Sequence, residues 1–129
     1  MTHWAVDHIG TPWVAGITDC WSFARGIWQV RWGWDVPPLT IDPQDARAAR
    51  HALAQPPGDA GWVEAQDPAE GDAVLMARGS RPCHVGIWIT PEPEAGVLHS
   101  VERAGVVFTA PGRLASLGYR IVGIYRRAT

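Results

Sequence analysis

Residues 83–109 read CHVGIWITPEPEAGVLHSVERAGVVFT, and three runs within this stretch decide the fold. Each run is short and rich in valine and isoleucine. Glycine, proline and acidic residues separate the runs, which is typical of strands joined by hairpins. Similar runs lie on both sides of this stretch. The expected strands are GWVEA at 61–65, DAVLMAR at 72–78, CHVGIWIT at 83–90, GVLHSV at 96–101, GVVFTA at 105–110 and YRIVGIYRR at 119–127.

Helical patterns lie mainly before the strands. The clearest is TDCWSFARGIWQVRWG at 18–33, where Thr18 or Asp19 can cap the start and Gly33 suits the end. Shorter helices are predicted at 3–9, 42–54 and 111–117. The apolar stripe of the main helix comprises Phe23, Ala24, Ile27, Trp28 and Val30. Helices followed by hairpin strands predict an α+β fold, with the N-terminal helices packed on one face of an antiparallel sheet of about five to six strands.

Composition excludes several classes of protein. The chain of 129 residues has the size of one domain, spanning residues 1–129, and its 47% hydrophobic content excludes a disordered chain. A net charge of -2 without a basic stripe argues against nucleic acid as a partner. No apolar stretch is long enough for a bilayer, and the start MTHWAVDHIG lacks the regions of a signal peptide, so neither membrane nor leader is expected. The eight tryptophans are expected to be core residues rather than a stacking groove.

The two cysteines, Cys20 and Cys83, are too few for a disulfide framework and lack Cys-x-x-Cys metal spacing. Cys20 falls at the start of the main helix, where backbone N–H groups and the helix dipole stabilise a thiolate. A buried structural cysteine is the plainer interpretation of the same position. Strand alternation points Cys83 away from His84, so Cys83 is expected to be an inert core residue.

A thiolate nucleophile needs a base and a group that orients the base. His84 and His99 are the candidates, because a turn near Pro93 would bring their strands side by side. Alternation puts His84 and Gly86 on one face, and Gly86 is expected to leave room for the helix that carries Cys20. Zinc bound by these cysteine and histidine side chains is a further, less favoured interpretation. The remaining histidines, expected to be structural or solvated, are His3, His8 and His51.

Several short motifs occur in an order that resembles the NlpC family of papain-like cysteine peptidases. They are GTPW at 10–13, DC at 19–20, GD at 71–72 and HVGI at 84–87, followed by a strand that carries His99. In that family a G-T-P-Y segment precedes a D-C pair that opens a helix. A G-D strand, an H-V-G-I strand and a strand with a second polar residue follow. The resemblance extends from residue 4 to residue 127, and the segment 35–61 matches least.

The resemblance implies a papain-like NlpC-type fold and a catalytic triad without metal or cofactor. Carried over, Cys20 is the nucleophile, His84 is the general base and His99 orients His84. The oxyanion would lie near the backbone N–H of Cys20. Trp13 stands where the family has a tyrosine that assists the oxyanion. Trp21 follows the nucleophile, as in tail-tip members from bacteriophages, and is expected to line the substrate groove.

Charged residues near these motifs have both functional and structural interpretations. Asp19 would cap the helix, pair with an arginine beside the site, or do both. Arg78, Arg81 and Arg103 fall in turns next to the histidine strands, where they could bind substrate carboxylates as bidentate partners. Exposed arginines in turns are more often simply solvated.

The activity that the resemblance implies is hydrolysis of peptidoglycan stem peptides at a bond between D-glutamate and a diamino acid. Trp21 and the expected lack of a leader favour a phage or prophage tail component with tail proteins as partners. Such a protein is made in the cytoplasm and reaches the wall by the particle or lysis; an effector carried by a secretion machine also fits. The rival is a structural tail-assembly protein with weak catalysis, favoured by Trp13 and Trp21. Thiol acyl transfer is a third interpretation.

Overall fold

The computed structural model describes residues 3–36, 61–79 and 81–127, with only the backbone for 81–83. These residues form an α+β structure with one α-helix, two 3-10 helices and a six-stranded antiparallel sheet. The predicted helix at 42–54 and His51 lie outside the described residues. The elements are a 3-10 helix Trp4–His8, α1 Cys20–Trp32, β1 Trp62–Glu64, β2 Ala73–Arg78, β3 Arg81–Ile89, β4 Gly96–Val101, β5 Gly105–Thr109, a second 3-10 helix Pro111–Leu117 and β6 Arg120–Arg127.

The sheet has the strand order β1-β6-β2-β3-β4-β5. All five pairings are antiparallel, which confirms the six expected strands and their orientation. Consecutive strands pair from β2 to β5, whereas β6 returns to lie between β1 and β2. This return places β6 beside β2, whose other neighbour is β3, the strand that carries His84.

Helix α1 begins and ends where the sequence predicts. Asp19 caps its start, and Gly33 ends it in the left-handed region at φ 71°. Val30, expected in the apolar stripe, is instead 78% exposed. It lies at the edge of the stripe in the last turn, where Arg31 is exposed as well. The buried residues of α1 are Cys20, Trp21, Phe23, Ala24, Ile27 and Trp28.

Strand alternation divides the core into two clusters, one on each face of the sheet. The larger cluster joins α1 to Leu75, Val85, Ile87 and Leu98. The smaller one, on the opposite face, lies beneath the second 3-10 helix. Its buried members are Val74, Met76, Val97, Leu114 and Tyr119. No described helix has the length and apolar character needed to cross a membrane.

Tryptophans supply much of the larger cluster, as expected. Three are buried and three more pack against them half-buried. Successive rings contact one another at centroid distances from 4.8 to 6.2 Å. The six are Trp4, Trp21, Trp28, Trp32, Trp34 and Trp62. The indole N–H of Trp28 also donates to the carbonyl of Gly71 at 2.8 Å, which fixes the loop before β2 against α1.

Candidate active site

The start of α1 is held by the buried carboxylate of Asp19. One oxygen accepts the N–H of Ser22 at 2.9 Å, and the other accepts the N–H of Gly16 at 2.6 Å. A cap of this kind stabilises a helix by about 0.5–2 kcal/mol. The predicted cap is therefore confirmed. Within the described residues, Asp19 forms no ion pair with an arginine, and its burial removes it from any groove surface.

Cys20 is the first residue of α1 and is not part of a disulfide. Its position exposes the thiol to the positive end of the helix dipole, which lowers the cost of forming a thiolate. The residue as a whole is 5% exposed, so it is almost completely buried.

The loop that leads into Cys20 is attached to strands β4 and β5. Ser100 donates its hydroxyl proton to the carbonyl of Thr18 at 2.5 Å. Further back, the N–H of Val106 donates to the carbonyl of Thr11 at 2.9 Å. Because Ser100 directly follows His99 in β4, the Thr18 contact fixes the approach to α1 beside the strand that carries His99.

His84 and His99 form a buried hydrogen-bonded pair. His84 Nε2 lies 2.8 Å from His99 Nδ1, and the ring centroids are 5.0 Å apart. The β3–β4 hairpin produces this contact, with Ile87 opposite Leu98. The predicted proximity of the two imidazoles is thus confirmed. Since Nε2 of His84 is used here, Nδ1 is the nitrogen through which this ring can accept a proton from a thiol.

Gly86 has a different role from the one expected. A Cβ built on it would lie 2.4 Å from Cγ1 of Val97 and 3.0 Å from Cβ of His99. Strand β4 therefore occupies the space beside Gly86, and the prediction that this space admits the nucleophile helix is wrong. Helix α1 packs with Val85 and Ile87, whose side chains lie on the opposite face of β3.

Burial keeps both imidazoles neutral at pH 7. It lowers the pKa of His84 well below 6.5, and the charges of His99 and Arg78 lower that pKa further. Burial also lowers the pKa of His99, to about 4. A neutral imidazole has one acceptor nitrogen and one donor, so His84 exists in the form that can receive a proton.

Tyr119 holds the other side of His84 and was not anticipated. Its ring stacks on the imidazole at 4.5 Å between centroids and 12° between planes. The guanidinium of Arg78 lies 4.6 Å from the centre of the Tyr119 ring and donates to the carbonyl of Leu117 at 3.2 Å. The sequence pattern predicts Tyr119 only as the first residue of the last strand. Its place beside β3 depends on the return of β6 to pair with β2.

The arginines proposed for substrate have different surroundings. Arg78 is engaged with Tyr119 and Leu117, so its guanidinium has a structural role in this state. Arg103 is exposed in the turn between β4 and β5 with φ 75°. The side chain of Arg81 lies outside the described residues. Substrate binding by any of them stays a prediction.

The two tryptophans of the motif region also differ. Trp21 is 1% exposed and contacts Trp28 edge to face at 6.0 Å. It is a core residue, so the expectation that it lines the groove is wrong. Its place on α1 turns it inward, into the larger cluster. Trp13 is half-buried in the loop before α1, and its contribution to an oxyanion site stays a prediction.

Other candidate residues add no second centre among the described parts of the chain. There, no group of three His, Cys, Asp or Glu side chains could hold a metal ion. His3 caps the first 3-10 helix and contacts Glu70, and His8 packs edge to face on Phe23, so both are structural. Cys83 falls at the register shift between β2 and β3, and its side chain is not described.

Comparison of the chain with models of known protein families gives no match, and comparison with curated protein sequences gives no significant match either.

Alkylation rates test the activation of Cys20. In a Cys83→Ser background, iodoacetamide should modify Cys20 near neutral pH, and His84→Ala should slow the reaction about tenfold or more because the thiolate loses its proton acceptor. The rate is followed by intact-protein mass spectrometry. His8→Ala is the matched control, since His8 also contacts α1 through Phe23. Equal rates in the His84 and His8 variants would contradict the activation.

Proposed function

We propose that this chain is a thiol amidohydrolase of the NlpC type, with a papain-like fold, that cleaves peptidoglycan stem peptides. The observation that carries the proposal is the buried hydrogen bond of 2.8 Å between His84 and His99. The second supporting observation is a reduced cysteine on the first turn of a capped helix. The order of the GTPW, DC, GD and HVGI motifs supplies the substrate class, because stem peptides are what the NlpC family cleaves.

The acylation step uses His84 as the base. Nδ1 of His84 takes the proton of the Cys20 thiol, and the sulfur attacks the carbonyl carbon of the scissile amide. The resulting tetrahedral intermediate collapses when the C–N bond breaks. His84 then gives its proton to the leaving amine, which leaves a thioester on Cys20.

Deacylation repeats the same proton transfers with water. His84 removes a proton from water, the hydroxyl adds to the thioester carbonyl, and the C–S bond breaks. The proton returns to the sulfur and the peptide leaves as a carboxylic acid. His99 holds the imidazole plane throughout, because its Nδ1 accepts the Nε2 proton of His84.

The oxyanion of each intermediate is assigned to the start of α1. The backbone N–H of Cys20 belongs to the first turn of α1. The N–H groups of a first turn point along the helix axis toward its N-terminal end. One donor of this kind is worth about 3 kcal/mol at the transition state. Trp13 lies on the loop before α1, and its indole N–H is the second donor that the proposal assigns.

The biological setting is proposed from the sequence. A chain with this activity fits a phage or prophage tail component that reaches the wall with the particle or by lysis. Delivery by a secretion machine fits the same chemistry. Tail proteins are then its partners, and peptidoglycan is its substrate.

A structural tail protein is the alternative that one observation favours. Cys20 is 5% exposed and His99 is fully buried, as core residues of a non-catalytic domain would be. The two functions differ in a measurable property. A structural domain does not need a thiol that reacts faster in the presence of His84.

Digestion of purified peptidoglycan tests the proposal directly. We expect soluble fragments whose masses correspond to addition of one water at a bond after D-glutamate, with a newly free amine on the diamino acid. Protein treated beforehand with iodoacetamide should release none of them. Intact sacculi after long incubation with an active thiol would support the structural alternative, and fragments cut in the sugar chain would contradict the proposed bond.

A further inference from the structure

The hydrogen-bonded chain of the site extends beyond the two histidines. His99 Nε2 lies 3.0 Å from Oγ1 of Thr109. Thr109 is the last residue of β5 and is buried, and its strand partner is Val97. Three side chains from three neighbouring strands, His84, His99 and Thr109, are thus connected by two hydrogen bonds in a region closed to solvent.

The direction of these bonds is fixed when His84 carries a proton on both nitrogens. In that imidazolium form His84 donates from Nε2, so Nδ1 of His99 has to be an acceptor. A neutral imidazole with an unprotonated Nδ1 carries its proton on Nε2. The Nε2–H of His99 then points at Thr109, whose hydroxyl oxygen is its acceptor. With the opposite tautomer, two N–H groups would face each other across 2.8 Å.

A buried N–H without an acceptor is costly, and such groups are rare in proteins. If residue 109 had no acceptor, His99 would favour the tautomer with its proton on Nδ1. That proton would be donated to Nε2 of His84, and the Nδ1 of His84 would then carry the hydrogen. An Nδ1–H cannot receive the proton of a thiol.

We propose that Thr109 is a positioning residue. Its hydroxyl oxygen is the acceptor that the Nε2–H tautomer of His99 needs, and this tautomer leaves Nδ1 of His84 ready to accept a proton. The inference rests on the proposed function of His84 as the base. Thr109 acts through His99 and touches neither the thiol nor the substrate. It adds a fourth member, the hydroxyl oxygen at the end of β5, to the cysteine and the two histidines.

Two substitutions separate the hydroxyl from the shape of the side chain. Thr109→Val keeps the branched shape but removes the acceptor, whereas Thr109→Ser keeps the acceptor. We expect Thr109→Val to slow Cys20 alkylation about tenfold, which corresponds to one unsatisfied buried donor. Thr109→Ser should restore the rate to within about twofold of the original, since the hydrogen bond remains. Thr90→Val, which removes a hydroxyl bonded to Glu70 at 3.2 Å, is the matched control.

Nitrogen-15 NMR of the imidazoles reads the tautomer without any need for hydrolysis. His99 should show a protonated Nε2 in the original chain and in Thr109→Ser, and a shift toward protonated Nδ1 in Thr109→Val. A protonated Nδ1 in the original chain, or an unchanged tautomer and alkylation rate in Thr109→Val, would overturn the inference. A chain with the expected tautomer that leaves peptidoglycan intact contradicts the proposed substrate and supports the role of Thr109.

Discussion

Replacing Cys20 with alanine should abolish peptidoglycan hydrolysis, with a loss of at least about 1,000-fold in turnover. In the proposed mechanism the sulfur forms the acyl intermediate, and the two imidazoles only move protons. Alanine is smaller than cysteine by one atom and suits the buried first turn of α1, so the fold should persist. Turnover is measured as release of soluble peptides from purified peptidoglycan.

The matched control for this substitution is Cys83→Ala, because it removes the other thiol of the chain. We expect this variant to keep most of the activity. Circular dichroism of both variants records whether helix and sheet are retained. Substantial hydrolysis by a folded Cys20→Ala protein would exclude thioester chemistry and with it the proposed mechanism.

Acid should destabilise the protein through its buried histidines. In the unfolded chain His99 binds a proton near pH 6.5, but in the folded protein its pKa is about 4. Protons therefore favour the unfolded state between these two pH values, and the free energy of unfolding falls as pH decreases from about 6.5 to 4. The contribution of His99 alone is about 3 kcal/mol over this range. The pKa of His84 is also lowered, by burial and by the charges of His99 and Arg78. Protonation of His84 therefore also reduces the free energy of unfolding as the pH falls.

Urea unfolding at pH 7.5 and pH 4.5 measures this loss. His99→Gln removes the titrating group and should lose less free energy between the two pH values than the original chain. The loss has to be compared between the variant and the original chain, because protonation of Glu70 also changes the stability in acid. Burial raises the pKa of Glu70, but hydrogen bonds from Thr90, His3 and Trp4 lower it overall. His8→Gln is the control, and an identical pH dependence in all three proteins would contradict the buried, neutral pair.

Local patterns in the sequence predict the parts of the fold that depend on neighbouring residues. The cap at Asp19 and the stop at Gly33 follow from side-chain hydrogen bonding and backbone freedom, and the structure has both. The strands follow from their spacing and composition. The His84–His99 contact was also predictable, since a hairpin pairs strands that are adjacent along the chain.

Contacts between distant segments could not be predicted in the same way. Tyr119 reaches His84 only because β6 inserts between β1 and β2, and nothing local specifies that order. Trp21 follows the thiol in sequence, but its direction on the helix turns it into the core. Thr109 becomes a partner of His99 through the β4–β5 register, in which it lies opposite Val97.

Gly86 bears on how related sequences would be sorted into active and inactive chains. Even an alanine there would place a methyl carbon 2.4 Å from Val97 and 3.0 Å from Cβ of His99. Strands β3 and β4 would have to separate, and the imidazole pair would separate with them. A related chain that keeps Cys20, His84 and His99 but replaces Gly86 with a larger residue should therefore lack the proposed activity. A survey that checks only the cysteine and the two histidines would count that protein among the enzymes.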